Sequence, residues 1–410
     1  MREVNHRNLI FISISQFGTS FTFNFINVFL PFYVFKISPY PPKDTLLWIG
    51  LILGSTHLCT AVTSTFWGSL THHYSPKLLY LRGIIVHTIV FLLMGFTTNL
   101  HVLLILRILQ GLVGGISTIG LIIVSSSASK ENISSDIGVF QSTITLGLLV
   151  GPPLGSLAAA MFGFKGAFIS ASAVLFASFI FCHLYVIDVP RLVKEKRSLG
   201  RTNINKPVII GWMLCFATQI QLMFLPSVLP NVFEKFSIEQ TIALKLAGTI
   251  VMLYTATAMI GTYVWSWLSR KFGLYRMITF LLALGVLLQA LLAISRGIAD
   301  FTVIRMVQTG LVAAIIPLII SIFACEPKGS IIGFLNSARF AGNALGPIIA
   351  TSVLAFFGLS SVYLFISGMT IIPFLCFKVF FKIPNENFAT QTEKDVHLST
   401  RKHKNRGIRD

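Results

Sequence analysis

Acidic side chains are scarce in this sequence: 14 Asp and Glu stand against 32 Lys and Arg among 410 residues. None of the 14 is expected inside an apolar span, which excludes the buried carboxylate that a carrier of cations would use. Cysteine is also sparse. The five (Cys59, Cys182, Cys215, Cys325, Cys376) are odd in number, fall within apolar stretches and show no metal-ligand spacing. They exclude both a disulfide framework and a metal centre. Only 11% of residues are charged, where soluble domains carry about 25%. No catalytic triad or acid–base set is visible, and the glycines from Gly111 to Gly120 lie inside an apolar stretch that suits no phosphate. Neither an enzyme nor a resident cofactor is expected.

What the chain has in abundance is hydrophobicity, 54% of its residues, including 36 Phe. Apolar runs of about 20 residues, each able to cross a hydrocarbon core about 30 Å thick, recur along the sequence. They fall at 9–35, 46–69, 78–98, 100–125, 134–162, 165–187, 208–233, 243–268, 274–295, 298–323, 330–357 and 359–381. The expected fold is an all-α integral membrane protein with twelve transmembrane helices in two six-helix bundles. The bundles are residues 1–187 and 207–383, joined by a cytoplasmic loop at 188–206 and followed by a disordered basic tail at 384–410.

The net charge of +18 would suggest nucleic acid in a soluble protein. Here the bases sit in loops and tail, where they set orientation and meet anionic lipid, so lipid rather than nucleic acid is the expected partner. With both termini inside, 23 of the 32 Lys and Arg are cytoplasmic and six are outside, which follows the positive-inside rule. Arg2 and Arg7 precede the first run with no small-residue cleavage site, so it reads as an uncleaved span.

The halves are copies. Trp67 to Leu70 is echoed around Trp265 to Leu268, and Arg107-x-x-Gln110 returns as Arg305-x-x-Gln308, both 198 residues on. Gly138, Gly147, Gly151 and Pro152 match Gly333, Gly342, Gly346 and Pro347 at an offset of 195, and Leu30-Pro31 matches Leu229-Pro230 at 199. A near-constant offset across five spans marks a parallel six-span repeat, an architecture that places substrate near the midplane between the halves.

Three stretches carry a resemblance to a known family. Residues 68–77 read GSLTHHYSPK, span 4 reads Arg107-Ile-Leu-Gln110-Gly111, and span 5 reads Gly147-Leu-Leu-Val-Gly151-Pro152-Pro153-Leu-Gly155. Over residues 8–383 the chain resembles the major facilitator superfamily, and within it the drug:proton antiporter branch. The resemblance implies a secondary transporter of the inner or plasma membrane, alternating access, a small-molecule substrate and protons as a possible coupling ion. It also implies that the glycine–proline clusters Gly151-Pro152 and Gly346-Pro347 seal the path and bias the carrier to export. One departure matters: the family's acidic gate residue after span 2 is His72 here, followed by His73, and the matching position in the second half is Arg270. A latch built on a carboxylate is therefore in doubt, and His72 remains either a titrating gate residue or a solvated one.

Several side chains are candidates for the path. Gln16, Ser20, Asn24 and Asn27 lie four, four and three residues apart and share one face of span 1. They form either a hydrogen-bonding wall of the path or an interhelical packing seam. In span 7 only one of Gln219 and Gln221 can face inward, and Gln219 is taken as that one. Trp212 and Tyr254 are candidates for an apolar lining. Arg107 and Arg305 serve either gating or structural pairing. Arg339, whose repeat counterpart is Ile144, stands nine residues into span 11, about 14 Å deep, and is the sharper candidate for an anion contact. His57, His87 and His183 are the remaining titratable groups within spans. The expected activity is export of an amphiphilic, negatively charged small molecule, such as a carboxylate metabolite or siderophore. The alternatives are proton-coupled efflux of cationic or neutral drugs, and a transport-dead membrane sensor.

Overall fold

In lipid every backbone N–H and C=O must be satisfied within the chain, and apolar runs of this length answer with helices. The computed structural model describes residues 2–128, 132–189, 205–323 and 329–380, and apart from turns these are helical. The central loop from 190 to 204, the tail beyond 380 and Cys325 lie outside the described residues.

The first three crossings are α1 (Arg2–Ile37), α2 (Pro42–Leu70) and α3 (Pro76–Phe96). The fourth is broken into α4 (Leu100–Leu112) and α5 (Ile116–Ser127). The fifth and sixth run together as α6 (Ile133–Tyr185), turned at Gly163, whose φ of 70° suits only glycine. The seventh is α7 (Lys206–Met223) with α8 (Leu225–Lys235), followed by α9 (Gln240–Phe272) and α10 (Leu274–Leu291). The tenth is broken again, into α11 (Ile298–Val312) and α12 (Ile315–Phe323), before α13 (Gly329–Phe357) and α14 (Leu359–Phe380). Eleven segments are long and apolar enough to cross a membrane, and one of them, Ser135–Tyr185, makes two crossings. Twelve crossings bring both ends of the described chain to one face, called the terminal face below.

The breaks in crossings 4 and 10 were not expected from the sequence. The first falls at Val113 to Gly115, where Gly115 adopts a φ of 90°, and Trp67 Nε1 donates to the Leu112 carbonyl that the break frees (2.8 Å). Arg82 caps this arrangement. Its guanidinium lies 3.3 Å from the centre of the Trp67 ring and donates to the Val113 carbonyl (3.4 Å). Arg82 thus joins Arg107, Arg305 and Arg339, the arginines singled out from the sequence, as one held within the bundle.

The acidic residues need a similar correction. Asp44, Asp136 and Asp300 fall within helix limits, but each lies in a first turn, where a negative charge suits the helix dipole. None reaches the membrane interior. Asp188, past the end of α6, accepts from the Ser75 hydroxyl and from the Lys77 backbone N–H (3.2 Å) at the start of α3. His72 is half-buried in the turn between α2 and α3.

Packing between α1 and α6 is backbone against backbone. An added Cβ at Gly151 would stand 2.6 Å from Phe21 O, and at Gly155 2.0 Å from Phe25 O. The two halves meet through similar contacts. Gly50 and Gly54 of α2 touch Thr351, Ile348 and the Ala344 carbonyl of α13, and Gly248 of α9 touches Pro152, Pro153 and Ser156 of α6. All three glycines lie in the part of their helix remote from the terminal face.

Candidate functional site

A cavity of about 870 Å³ lies between the halves, on the terminal side of those glycine contacts. From the first half α1 contributes Asn24 and Asn27, α2 contributes Leu53 and His57, and α6 contributes Ser142, Thr145 and Pro152. From the second half come Gln219, Met223, Tyr254, Thr255, Arg339, Asn343 and Pro347, with further apolar residues of α8, α9 and α12. The wall is largely hydrocarbon, studded with amides and hydroxyls. That is the usual composition of a small-molecule site.

The polar face of α1 divides along its length. Asn24 and Asn27 reach the cavity. Gln16 and Ser20 do not, which corrects the expectation that all four line it. Gln16 donates to Ser117 Oγ (3.0 Å) and accepts from the Tyr80 hydroxyl (3.1 Å), and the Ser20 hydroxyl donates to the Ile144 carbonyl (2.7 Å). Their role is interhelical packing. In α7, Gln219 lines the cavity and donates to Asn343 Oδ1 (2.7 Å), whereas Gln221 turns away to donate to Thr370 Oγ1 (2.7 Å). Trp212 lies outside the lining and donates to Ser337 Oγ (2.9 Å), while Tyr254 faces inward.

Arg107 and Arg305 stand behind the wall. Arg107, 1% exposed, donates to the Ile52 carbonyl (3.1 Å), Gln110 Oε1 (2.8 Å) and Asn27 Oδ1 (3.0 Å). Arg305, fully buried, donates to the carbonyls of Gln221 (2.8 Å) and Leu222 (3.1 Å) and to Gln308 Oε1 (2.7 Å). The rings of Phe224 and Tyr254 stand 4.8 and 5.0 Å from its guanidinium carbon. Every partner is uncharged, so each arginine keeps its full positive charge next to the cavity. Asn27 and Tyr254 each touch one of these arginines and line the cavity as well.

Arg339 differs from both. It is exposed to the cavity and makes no hydrogen bond or ion pair among the described residues. The midpoint of α13 falls at Asn343, so Arg339 lies about 6 Å to the terminal side of it by helical rise. It is the one charged residue among the described residues that line the cavity. Asn343 was not singled out in the sequence, although its spacing of four from Arg339 and from Pro347 was available as a signal. Pro152 and Pro347 line the cavity from α6 and α13, while Gly151 packs on Phe21 and Phe25, and Gly346 has ordinary contact distances to Ile220 (3.6 Å).

The chain matches the sequence model of the Major Facilitator Superfamily over residues 12–307 and again over 246–406. It belongs to that superfamily. This facilitator is 26% identical over 377 residues to the multidrug resistance protein MdtG of Rahnella sp. (strain Y9602), covering 89% of this chain and 91% of the relative. To MdtG of Yersinia enterocolitica it is 27% identical over 367 residues, covering 87% and 89%. Among solved structures it resembles the nucleoside transporter NupG, with a TM-score of 0.75 and 14% identity over 93% of this chain and 99% of that one. It also resembles the human organic anion transporter MFSD10, with a TM-score of 0.62 and 16% identity over 91% and 99%. At these identities the structural likeness establishes the fold alone. This facilitator is a multi-pass membrane transporter whose relatives include multidrug resistance proteins.

Proposed function

We propose that this transporter exports amphiphilic small molecules that carry negative charge, by alternating exposure of the cavity to the two sides of the membrane. The observation that carries the charge preference is Arg339: a cavity-facing guanidinium with no hydrogen bond or ion pair among the described residues, in a lining whose described residues include no carboxylate. Arg107 and Arg305 reinforce the field from behind, because their partners are neutral. An exposed guanidinium offers its planar fork of N–H donors to an anionic oxygen, with which it makes charge-assisted hydrogen bonds. The amphiphilic part of the reading rests on the largely apolar wall. Both termini would lie in the cytoplasm, as the positive-inside bias favours, and the cavity on the terminal side then loads from inside. The two bundles (residues 1–187 and 207–383) would rock about the glycine contacts. Arg107 and Arg305 would brace each half, with the clusters at Gly151-Pro152 and Gly346-Pro347 and the loop at His72 flanking the gates.

The energetics fit export. An anion leaving a negative interior gains about 2.3 kcal/mol per charge per 100 mV, an accumulation ratio of about 50. Efflux of cationic or neutral drugs is the second reading, favoured by the names of the MdtG relatives. Reconstituted liposomes separate the two at pH 8, with 2-naphthalenesulfonate as the fixed anion and 2-naphthyltrimethylammonium as the matched cation. An inside-positive potential drives uptake of the sulfonate if the anion reading holds, and Arg339→Gln abolishes that uptake. Transport of the cation alone, or an unimpaired Arg339→Gln variant, overturns it.

A further inference from the structure

We propose that His57 is the proton-binding residue of this cavity, taking up a proton together with the anion so that the two cross as a pair. The proposal rests on the anion reading above and adds a second cargo to it.

Four histidines lie within spans, and their surroundings differ: His101 stands in the first turn of α4 against the Trp48 ring (4.8 Å between centroids). The His87 ring bonds the Gly83 carbonyl (2.6 Å) and is packed by Phe23 and Phe91 at centroid distances of 5.0 and 6.2 Å. His183 is exposed near the terminal end of α6, where its ring stacks on Phe179 at 11°. His57 alone lines the cavity, and neither of its ring nitrogens has a hydrogen-bond partner among the described residues. A neutral imidazole offers one N–H, and a protonated one offers two, each able to donate to an anionic oxygen.

The charges around His57 set the sign of the linkage. From α4 it faces Arg107, whose backbone carbonyl accepts from the neighbouring Thr56 hydroxyl (3.0 Å). From α13 the cavity receives Arg339, and from α9 it receives Tyr254 and Tyr263. The adjoining face of α1 presents Asn27, α5 carries no titratable side chain, and those of α8 (Glu234 and Lys235) lie in its last turn at the far membrane face. No carboxylate is among them. A proton on His57 in the empty cavity would therefore sit among like charges and be repelled. An anion bound at Arg339 reverses that balance: the anion favours the proton, and by reciprocity the proton favours the anion. Among these groups only histidine ordinarily titrates between pH 6 and 8. A charge within about 4–6 Å changes a protonation equilibrium by about tenfold or more. The proton binds the imidazole nitrogen on loading and leaves it when the anion leaves, so an acidic exterior opposes export and the response to membrane potential fades as pH falls.

Equilibrium binding of 2-naphthalenesulfonate to the purified full chain, followed from pH 8 to pH 6, tests this. The expected result is an affinity that rises as the pH falls from 8 to 6, towards a limit of about tenfold that is reached only below the protonation equilibrium of the empty cavity. His57→Gln and His57→Asn should lose that rise, giving an affinity that stays level from pH 8 to pH 6. A wild-type affinity indifferent to pH, or variants that retain the slope, overturns the role of His57 and leaves the anion reading standing. Absence of sulfonate binding at every pH, with retained binding of 2-naphthyltrimethylammonium, overturns the anion reading and this inference with it.

Discussion

Replacing Gly155 with alanine places a methyl carbon 2.0 Å from the Phe25 carbonyl oxygen, 2.6 Å from its carbon and 2.8 Å from its Cα. All three are backbone atoms of α1, so no rotamer change relieves the clash. An ordinary contact near 3.5 Å requires α1 and α6 to separate locally by about 1.5 Å. A gap of 0.5–1 Å already forfeits a quarter to a half of each atomic attraction of about 0.1–0.2 kcal/mol. Over some tens of atom pairs in this seam the loss is about 2–4 kcal/mol. Alanine's higher helix propensity returns about 1 kcal/mol, leaving a net destabilisation of about 1–3 kcal/mol. The repeat supplies the control. Gly346, the counterpart of Gly151, has 3.6 Å of room at the same test, and the position matching Gly155 is already Ala350. Gly346→Ala should therefore be neutral or slightly stabilising. Thermal unfolding in detergent, followed with a thiol-reactive dye that reports exposure of the buried Cys182 and Cys215, compares the two. A Gly155→Ala protein that melts at or above Gly346→Ala would refute the packing argument.

Other changes should separate structural from binding roles. Arg305→Lys keeps the charge but cannot reproduce three hydrogen bonds from one planar fork, and should cost about 2–3 kcal/mol in the same melting assay. Arg339→Gln touches no described partner and should change stability by less than about 0.5 kcal/mol while abolishing sulfonate flux. Asp188→Asn removes the negative charge at the start of α3 and should weaken that first turn by about 0.5–1 kcal/mol, measured as faster hydrogen exchange at Lys77 and Leu78.

Much of the fold was legible because lipid leaves the backbone few choices. Run length marked the crossings, and the 195–199 offsets marked the repeat. The broken crossings were harder to read, since Val113-Gly114-Gly115 and Ala313-Ala314 interrupt the helix without interrupting the hydrophobicity that defines a span. Site residues were legible by face and not by depth. Spacing put Gln16, Ser20, Asn24 and Asn27 on one side of α1. Which neighbour that side meets changes along the axis, from Ser117, Tyr80 and the Ile144 carbonyl at the lower two to the open cavity at the upper two. Periodicity carries no information about that change. Arg82 was missed for a related reason: it lies nearly two turns into α3, where a charge near a span end reads as a loop residue, and only the ring of Trp67 reveals its place inside.

The junction that closes the cavity on its far side is made by Gly50, Gly54 and Gly248 lying directly on opposing main chain and short side chains. Two side-chain pairs bracket these contacts, Phe32 against Phe233 (6.3 Å between ring centroids) and Lys43 Nζ over the Phe356 ring (4.2 Å), and they part when the joint does. Parting it trades one smooth surface contact for another, so it can serve as a zipper between two resting shapes while the arginine-braced interior of each half moves as a block.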